Sequence, residues 1–408
     1  TIRACHHRET PMSPQRRRIA VVSSSRADYG HLYYVLKGLQ AAADIELLPV
    51  AMAAHGSPRF GETWRRFAED GFPLPAPLEC LLDSDSDVGM AKTIGLATLS
   101  LADWLGRERP DLLLLIADRY EMLAPASVAL ALRIPIAHIE GGEISEGAVD
   151  DAVRHALTKL SHLHFVPTEQ ARRRVLALGE EAWRVHQVGA PSLDHLRLST
   201  LPDVRDLLRE AELDPERAPV VVAWHPVTLL RDPAAESACL FEALADCPQP
   251  IVFCFPNADA GREAFIRQAE AFCAGRAQAR VFVNLEHRAY WALLCLAAAL
   301  VGNSSSGIME SPSLALPCVN IGDRQAGRER AANIIDAPAE TTAIRAALQT
   351  ALSPDFRTSL AGMRSPYGDG HAAERIVERL RSVPLDPRLL RKRALPLCAD
   401  APAFDHEC

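Results

Sequence analysis

The sequence predicts an α/β protein of two Rossmann-like domains facing one another across a cleft. Three observations predict it. Short, wholly apolar runs recur along the 408 residues, as strands buried on both faces of a parallel sheet require. Each run breaks into a polar or glycine-rich stretch before a helical pattern begins. The rhythm also starts twice, near Ile19 and near Val220, in a chain long enough for two domains.

Residues Thr1 to Arg18 read as a basic, unstructured leader, with Met12 a more natural start than Thr1. Ile19 to Val22 is the first strand, ending in Ser23-Ser24-Ser25-Arg26-Ala27-Asp28-Tyr29-Gly30 before a helix expected from about His31 to Ala43. Serines and an arginine between strand and helix suggest an anion site, since the first N–H groups of a helix lack partners within it. An ordinary capped loop would look the same. A second strand, Ile45 to Met52, ends at His55-Gly56, and a helical stretch covers Phe60 to Asp70. A lone histidine is a weak indicator, but its place at a strand end makes His55 a candidate contact. Asp83 to Asp87 reads as a solvated acidic loop, and Met90 to Arg107 as a long helix.

The stretch Asp111 to His155 organises the first half. Leu112 to Ile116 is an apolar run that stops at Asp118-Arg119; a helical pattern follows through Ala131, and Ile134 to Ile139 breaks into Glu140-Gly141-Gly142-Glu143. Strand, helix and strand of this length form a βαβ unit with parallel strands. Asp118 and Glu140 therefore leave the same edge of the sheet, with Glu143, Asp150 and Asp151 following. Open α/β sheets bind ligands at that edge. Asp150-Asp151-Ala-Val-Arg154-His155 opens a helix whose macrodipole one aspartate would suit, but two are more than capping needs. Strand His164 to Pro167, a helix to Leu178 and strand Val185 to Val188 complete a first domain of residues 19–195. Leu196 to Leu201 reads as the linker.

The second domain, residues 202–383, opens with a helix from Pro202 to Glu212. Strand Val220 to Trp224 ends at His225, and strand Ile251 to Phe255 ends at Pro256-Asn257-Ala258-Asp259-Ala260-Gly261. After Val281 to Val283 and a helix from Ala289 to Ala298, strand Ala299 to Val301 ends in Gly302-Asn303-Ser304-Ser305-Ser306-Gly307, which opens a helix carrying Glu310. Strand Cys318 to Ile321 ends at Gly322-Asp323-Arg324-Gln325. A last helix, Ala372 to Arg381, is expected to pack back on the first domain. Residues 384–408 show no periodicity and read as a tail.

Two constellations carry chemistry. Gly302 to Gly307 lets the backbone approach a ligand closely, its hydroxyls donate, and a helix N-terminus favours negative charge. No lysine follows it, so it is not a Walker loop. Glu310, one turn on, can accept from a ribose diol, and Arg324, Arg328 and Arg330 are possible anion partners. Opposite, Asp118, Glu140 and Asp151 gather carboxylates that cannot all ionise freely, so at least one pKa rises and acid separates from base. A salt bridge to Arg119 would explain Asp118 alone, but not the three together. His225 could complete a proton relay from across the cleft. Spacing alone thus suggests a nucleotide-diphosphate site facing an acid/base site.

Composition narrows the partners. Net charge −8 and a pI of 6.0 argue against nucleic acid or an anionic membrane. Ten cysteines are scattered singly, with no CxxC pair or zinc-ligand spacing, so a metal site is not expected; no cofactor is expected either. No run approaches a membrane span and no signal-peptide pattern occurs, so a cytoplasmic protein is expected.

SRADYG, ADRYEML, PIAHIEGGEISEGAVDDAVRHALTKLSHLHF, HPVT, FPNADAG, GNSSSGIMESPSLALPCVNIGDRQAGRERAANII and SPYGDGHAAERIVERL, in that order from about Ile19 to Leu380, resemble the hydrolysing UDP-N-acetylglucosamine 2-epimerases. The resemblance implies a GT-B fold, a homodimer or homotetramer, and a UDP-sugar substrate converted to UDP and N-acetylmannosamine for sialic- or legionaminic-acid-type biosynthesis. It implies anti elimination of UDP to 2-acetamidoglucal and then hydration with inversion at C2, without cofactor or metal. Carried over by motif, Arg26 and Asp28 match the first loop; Asp118, Glu140 and Asp151 match acid/base positions; His225 matches the HP-motif histidine. Ser304, Ser305 and Glu310 match the nucleotide region. Ala117 stands where the family often has glycine, and the first loop is SSSR rather than a GTR-like form. UDP-N,N'-diacetylbacillosamine is the alternative substrate. A non-hydrolysing 2-epimerase, a GT-B glycosyltransferase and a silent sugar-nucleotide-binding protein are further alternatives.

Overall fold

A computed structural model describes residues 16–73, 77–82, 84, 86–146, 149–225, 234–255, 262–283 and 285–394. The first half holds strands β1 (Arg17–Ser23), β2 (Ile45–Ala51), β3 (Leu112–Ile116), β4 (Ile136–Ile139), β5 (Leu163–Val166) and β6 (Val185–Gln187). The second holds β7 (Val220–Ala223), β8 (Ile251–Phe255), β9 (Ala279–Val283), β10 (Ala299–Gly302), β11 (Cys318–Ile321) and β12 (Ile334–Ala337). Each half is one parallel sheet, in the orders β2-β1-β3-β4-β5-β6 and β12-β11-β10-β7-β8-β9.

Strand composition explains the layering. Every residue of β3, LLLLI, is buried, as a central strand covered on both faces must be. In β7, Val220 and Val222 pack into one cluster while Val221 and Ala223 pack into another, one on each face of the sheet. Strand order then fixes where loops can bind. In the first sheet the chain leaves β1 for β2 on one side and returns to β3 on the other; in the second, β8 and β10 flank β7 in the same way. Each reversal opens a crevice at the C-terminal strand ends. The segments after β1, β3, β7 and β10 therefore carry Arg26, Asp118, His225 and the serine loop to the crevices.

Some local boundaries differ from the sequence expectation. The first helix begins at Arg26, not near His31, because the Ser25 side chain caps it by accepting from the Asp28 N–H. Phe60 to Asp70 is mostly tight turns, with a helix only over Arg65–Glu69. Edge strand β12 and the helix Thr341–Ala351 were not anticipated; β12 mixes buried and exposed positions and lacks the continuous apolar run of a central strand. The helix Ala372–Ser382 crosses back to the first half, where Ile376, Leu380 and Val383 join its core. Asp194 accepts from its first N–H groups, Ala372 at 2.9 Å and Ala373 at 2.7 Å.

Part of the expected tail is docked. Arg184 donates to the carbonyls of Arg388, Leu389 and Arg391, and Lys392 pairs with the fully buried carboxylate of Glu180 at 2.7 Å. The Arg184 contacts run from side chain to backbone, and none of these contacts gives a sequence periodicity. Among the described residues no helix is long and apolar enough to cross a membrane.

Candidate active site

The crevices of the two halves enclose a cavity of about 350 Å³. Asp28, Asp118, Arg119, Glu140 and Asp150 line it from the first half; His225, Ser305, Arg324 and Arg328 line it from the second. A smaller, mainly apolar cavity of about 150 Å³ adjoins it, walled by Phe255, Leu285, Tyr290 and Trp291, with Arg26, Ser304, Ser305, Ser306 and Glu310 as polar members. His31, His225 and Ser305 line both, so the two spaces meet at these residues.

Backbone strain marks the acidic edge. Ala117 follows β3 with φ 57° and Glu140 follows β4 with φ 65°, both in the left-handed region that L-residues avoid. Each holds its turn with a sheet-type bond, Ala117 N–H to Ile139 at 3.0 Å and Glu140 N–H to Phe165 at 2.8 Å. Such conformations cost on the order of 1–3 kcal/mol and cluster at functional sites. They turn Asp118 and Glu140 off the strand ends toward the cavity.

Fixed cations surround these carboxylates. Asp118 pairs with the buried guanidinium of Arg154. Arg119, the bland alternative as its partner, binds Glu121 at 3.1 Å. Burial pushes the Glu140 carboxyl up, but His31, Arg328 and His138 outweigh that and hold it below its ordinary value. Burial raises Glu121 and Glu143, against the opposing pull of Arg119 and Arg328 respectively. The expected splitting of carboxyl pKa values is present, but the raised groups lie outside the expected trio.

The helix Asp150–Leu160 places its two aspartates differently. Asp151, expected at the acid/base edge, does not line the cavity: it accepts from the Ser145 N–H at 2.8 Å and contacts Arg154 and His155. Asp150 lines it, 3.9 Å from Arg324. Neighbouring residues on a helix point about 100° apart, so the two side chains face different surroundings.

Other expected contacts have partners within the protein. His55 is buried, its two nitrogens each 2.8 Å from Ser23 and Thr63 hydroxyls, and burial lowers its pKa to about 3. Asp28 lines the cavity and accepts from the Ser24 N–H and hydroxyl. Glu143 lies behind the cavity, 3.8 Å from Arg328, and accepts from the Tyr367 hydroxyl at 3.5 Å. The Asn303 side chain bonds the His225 N–H at 2.7 Å and its carbonyl at 2.8 Å, which fixes the loop after β7 to that after β10. A Cβ on Gly307 would meet the Cys318 sulfur at 2.7 Å, so that glycine permits packing. Asn257 and Asp259 lie outside the described residues.

In the serine loop, Ser304 caps a helix of only five residues, Ser305–Met309. Ser306 receives a hydrogen bond from Tyr290 at 3.0 Å and donates to Glu310 at 2.5 Å. Sequence reasoning missed His31 and Arg154, and offered Arg328 only beside Arg324 and Arg330 as an anion partner or solvated surface. Arg328 spans the cleft, donating to the Ile144 carbonyl at 2.8 Å and the Ser145 hydroxyl at 3.2 Å.

The family model described as UDP-N-acetylglucosamine 2-epimerase matches residues 37–381. The chain belongs to this family. A GDP/UDP-N,N'-diacetylbacillosamine 2-epimerase (hydrolysing) of Campylobacter jejuni is 34% identical over 386 residues, covering 94% of this chain and 100% of that protein. A UDP-N-acetylglucosamine 2-epimerase of Neisseria meningitidis is 33% identical over 343 residues, covering 83% and 88%. In structure, a UDP-GlcNAc 2-epimerase of Neisseria meningitidis bound to UDP-GlcNAc superposes with TM-score 0.76 at 19% identity, covering 90% of this chain and 100% of that one. A Staphylococcus aureus MnaA–UDP structure gives TM-score 0.75 at 17% identity, covering 90% and 96%. The epimerase family fold is the two-domain GT-B arrangement, as these likenesses and the two six-stranded parallel sheets agree.

Proposed function

We propose that the chain is a hydrolysing 2-epimerase of a UDP-2-acetamido sugar, releasing UDP and the free C2-inverted sugar. One observation carries the reading: Asp118, Glu140 and Asp150 share a cavity with Ser305, His225 and Arg324 of the other half. The C2 proton of a 2-acetamido sugar is not next to a carbonyl, so direct deprotonation and reprotonation is prohibitively difficult. Elimination avoids this. A carboxylate takes the C2 proton while the C1–O bond to UDP breaks, giving the glycal; water then adds at C1 and a proton returns to C2 on the opposite face.

Ionised carboxylates suit the base, and two have fixed cations: Asp118 beside Arg154, Glu140 beside His31. The serine hydroxyls and Arg324 suit the departing diphosphate. The apolar cavity suits the base of the nucleotide, with Glu310 at the ribose. Incubation with UDP-N-acetylglucosamine in deuterated water tests this: expected products are UDP and N-acetylmannosamine deuterated at C2. An epimerised sugar still joined to UDP, or transfer to an acceptor, would reject it.

A second substrate is favoured by one feature. Phe60, Leu81, Leu82 and Met90 form an apolar wall on the first-half side of the cavity. A 2,4-diacetamido-2,4,6-trideoxy sugar, with a C6 methyl in place of a hydroxymethyl, would lose less hydration there. The kcat/KM ratio for UDP-N,N'-diacetylbacillosamine over UDP-N-acetylglucosamine decides between them. Either product would serve a biosynthetic route to sialic- or legionaminic-type acids in the cytoplasm, from a homo-oligomeric enzyme.

A further inference from the structure

His31 sits on the helix Arg26–Ala41 where both cavities meet. Its Nδ1 lies 3.1 Å from Glu140 of the first half, and its Nε2 lies 3.8 Å from Glu310 of the second. We propose that His31 is a positioning residue of the epimerase site: as an imidazolium it joins the acid/base carboxylate Glu140 to the nucleotide-side carboxylate Glu310, so that one ring governs both the ionisation of Glu140 and the closure of the cleft. The proposal rests on the epimerase reading for what the two carboxylates do.

The geometry favours the charged ring. A neutral imidazole has one N–H and one lone pair, so it would present a lone pair to one of the two carboxylates. The protonated ring offers an N–H to each. Its surroundings agree. Burial opposes the charge, but Glu140, Glu310 and Asp28 outweigh it and raise the pKa to about 9. The neighbouring His195 donates from Nε2 to the Gly30 carbonyl at 2.8 Å and is kept neutral by burial, with a pKa of about 4. The His287 ring lies tilted against His195, centroids 4.7 Å apart, and pairs with Glu286 at 2.9 Å. Glu140 also faces Arg328 from the loop after β11, His138 from its own strand, and Glu143. Without the imidazolium, Glu140 and Glu310 would confront each other across the cleft as two anions.

The test compares the full chain with His31→Gln and His31→Lys, measuring UDP release from about pH 4 to about pH 10. In His31→Gln, kcat is expected to fall at least ~10-fold, KM to rise, and the acid limb to move up by about one pH unit, since buried Glu140 loses its nearest cation. His31→Lys is expected to restore the acid limb and part of kcat. Parent-like kcat, KM and acid limb in His31→Gln overturn the proposal. So does a His31→Lys variant equal to His31→Gln in every parameter, which would make shape rather than charge the requirement.

A second measurement needs no turnover. NMR titration of the His31 ring in the parent, Glu140→Gln and Glu310→Gln proteins is expected to show loss of the imidazolium at lower pH in each variant. An unchanged titration in either variant overturns the clasp. Failure of the parent to release UDP from any UDP-sugar would instead overturn the epimerase reading, and the ring titration would still decide the clasp.

Discussion

Arg154 neutralises Asp118 from beneath the cavity floor, and its guanidinium is almost wholly buried while Asp118 remains a fifth exposed. The same guanidinium donates to the Glu143 carbonyl at 2.9 Å and the Ser145 hydroxyl at 3.2 Å. One side chain thus sets the charge of a catalytic candidate and the path of the loop that follows Glu140. Replacing it with Met leaves a partly buried carboxylate unpaired. Unfolding in urea is expected to show a loss of about 3 kcal/mol, with a fall in kcat, since breaking a buried pair by removing one partner is costly.

Asp150 and Asp151 separate by role. Asp150→Asn is expected to reduce kcat by about 100-fold, the order of a lost acid/base group. Asp151→Asn weakens the bond to the Ser145 N–H and the contact with Arg154, and is expected to cost about 1 kcal/mol while kcat changes only a few-fold. Steady-state kinetics and thermal unfolding of the pair check this; the reverse pattern would return the acid/base role to Asp151.

Gly302 has φ 140°, and a Cβ there would stand 2.0 Å from the Ala223 carbonyl oxygen. That oxygen belongs to the neighbouring strand and cannot swing aside. Gly302→Ala is expected to separate β7 from β10 at their site end, lowering stability by at least about 2 kcal/mol and weakening UDP binding. Calorimetry of unfolding and of UDP titration reads both effects.

Acid lability is expected from buried neutral histidines. Burial lowers His55 to about 3, and His138, His162 and His195 to about 4. Their folded pKa values lie below the unfolded value near 6.5, so the unfolded chain takes up protons first as pH falls. Stability is therefore full above about pH 6.5 and declines toward about pH 4. Melting temperature measured across that range should show the loss, and His55→Asn, which can still bond Ser23, should show a shallower slope.

The sheets were legible because buried parallel strands have a composition of their own: LLLLI in β3 and VVVA in β7 leave little choice. Asp118, Glu140 and the serine loop followed from their places at strand ends. The cations were not legible. Arg328 meets Ile144 and Ser145 across 184 and 183 residues of sequence, and nothing local distinguishes it from Arg324 or Arg330. His31 looked like an ordinary helical position because its partners lie 109 and, for Glu310, still more residues away. The choice between Asp150 and Asp151 depended on helical phase, which the preceding loop sets and composition does not reveal.

The chain passes between the halves twice, outward after Leu198 and back where Tyr367 accepts from the Ala190 N–H at 2.7 Å. The two covalent crossings are held side by side, Arg197 donating to the Gly370 carbonyl at 2.8 Å, and together restrict relative motion of the halves more than one crossing would. The first helix meets the returning helix through Gly38 and Val377 and carries His31 two turns earlier. The ring that meets a carboxylate of each half is thus carried by the helix on which the returning chain packs.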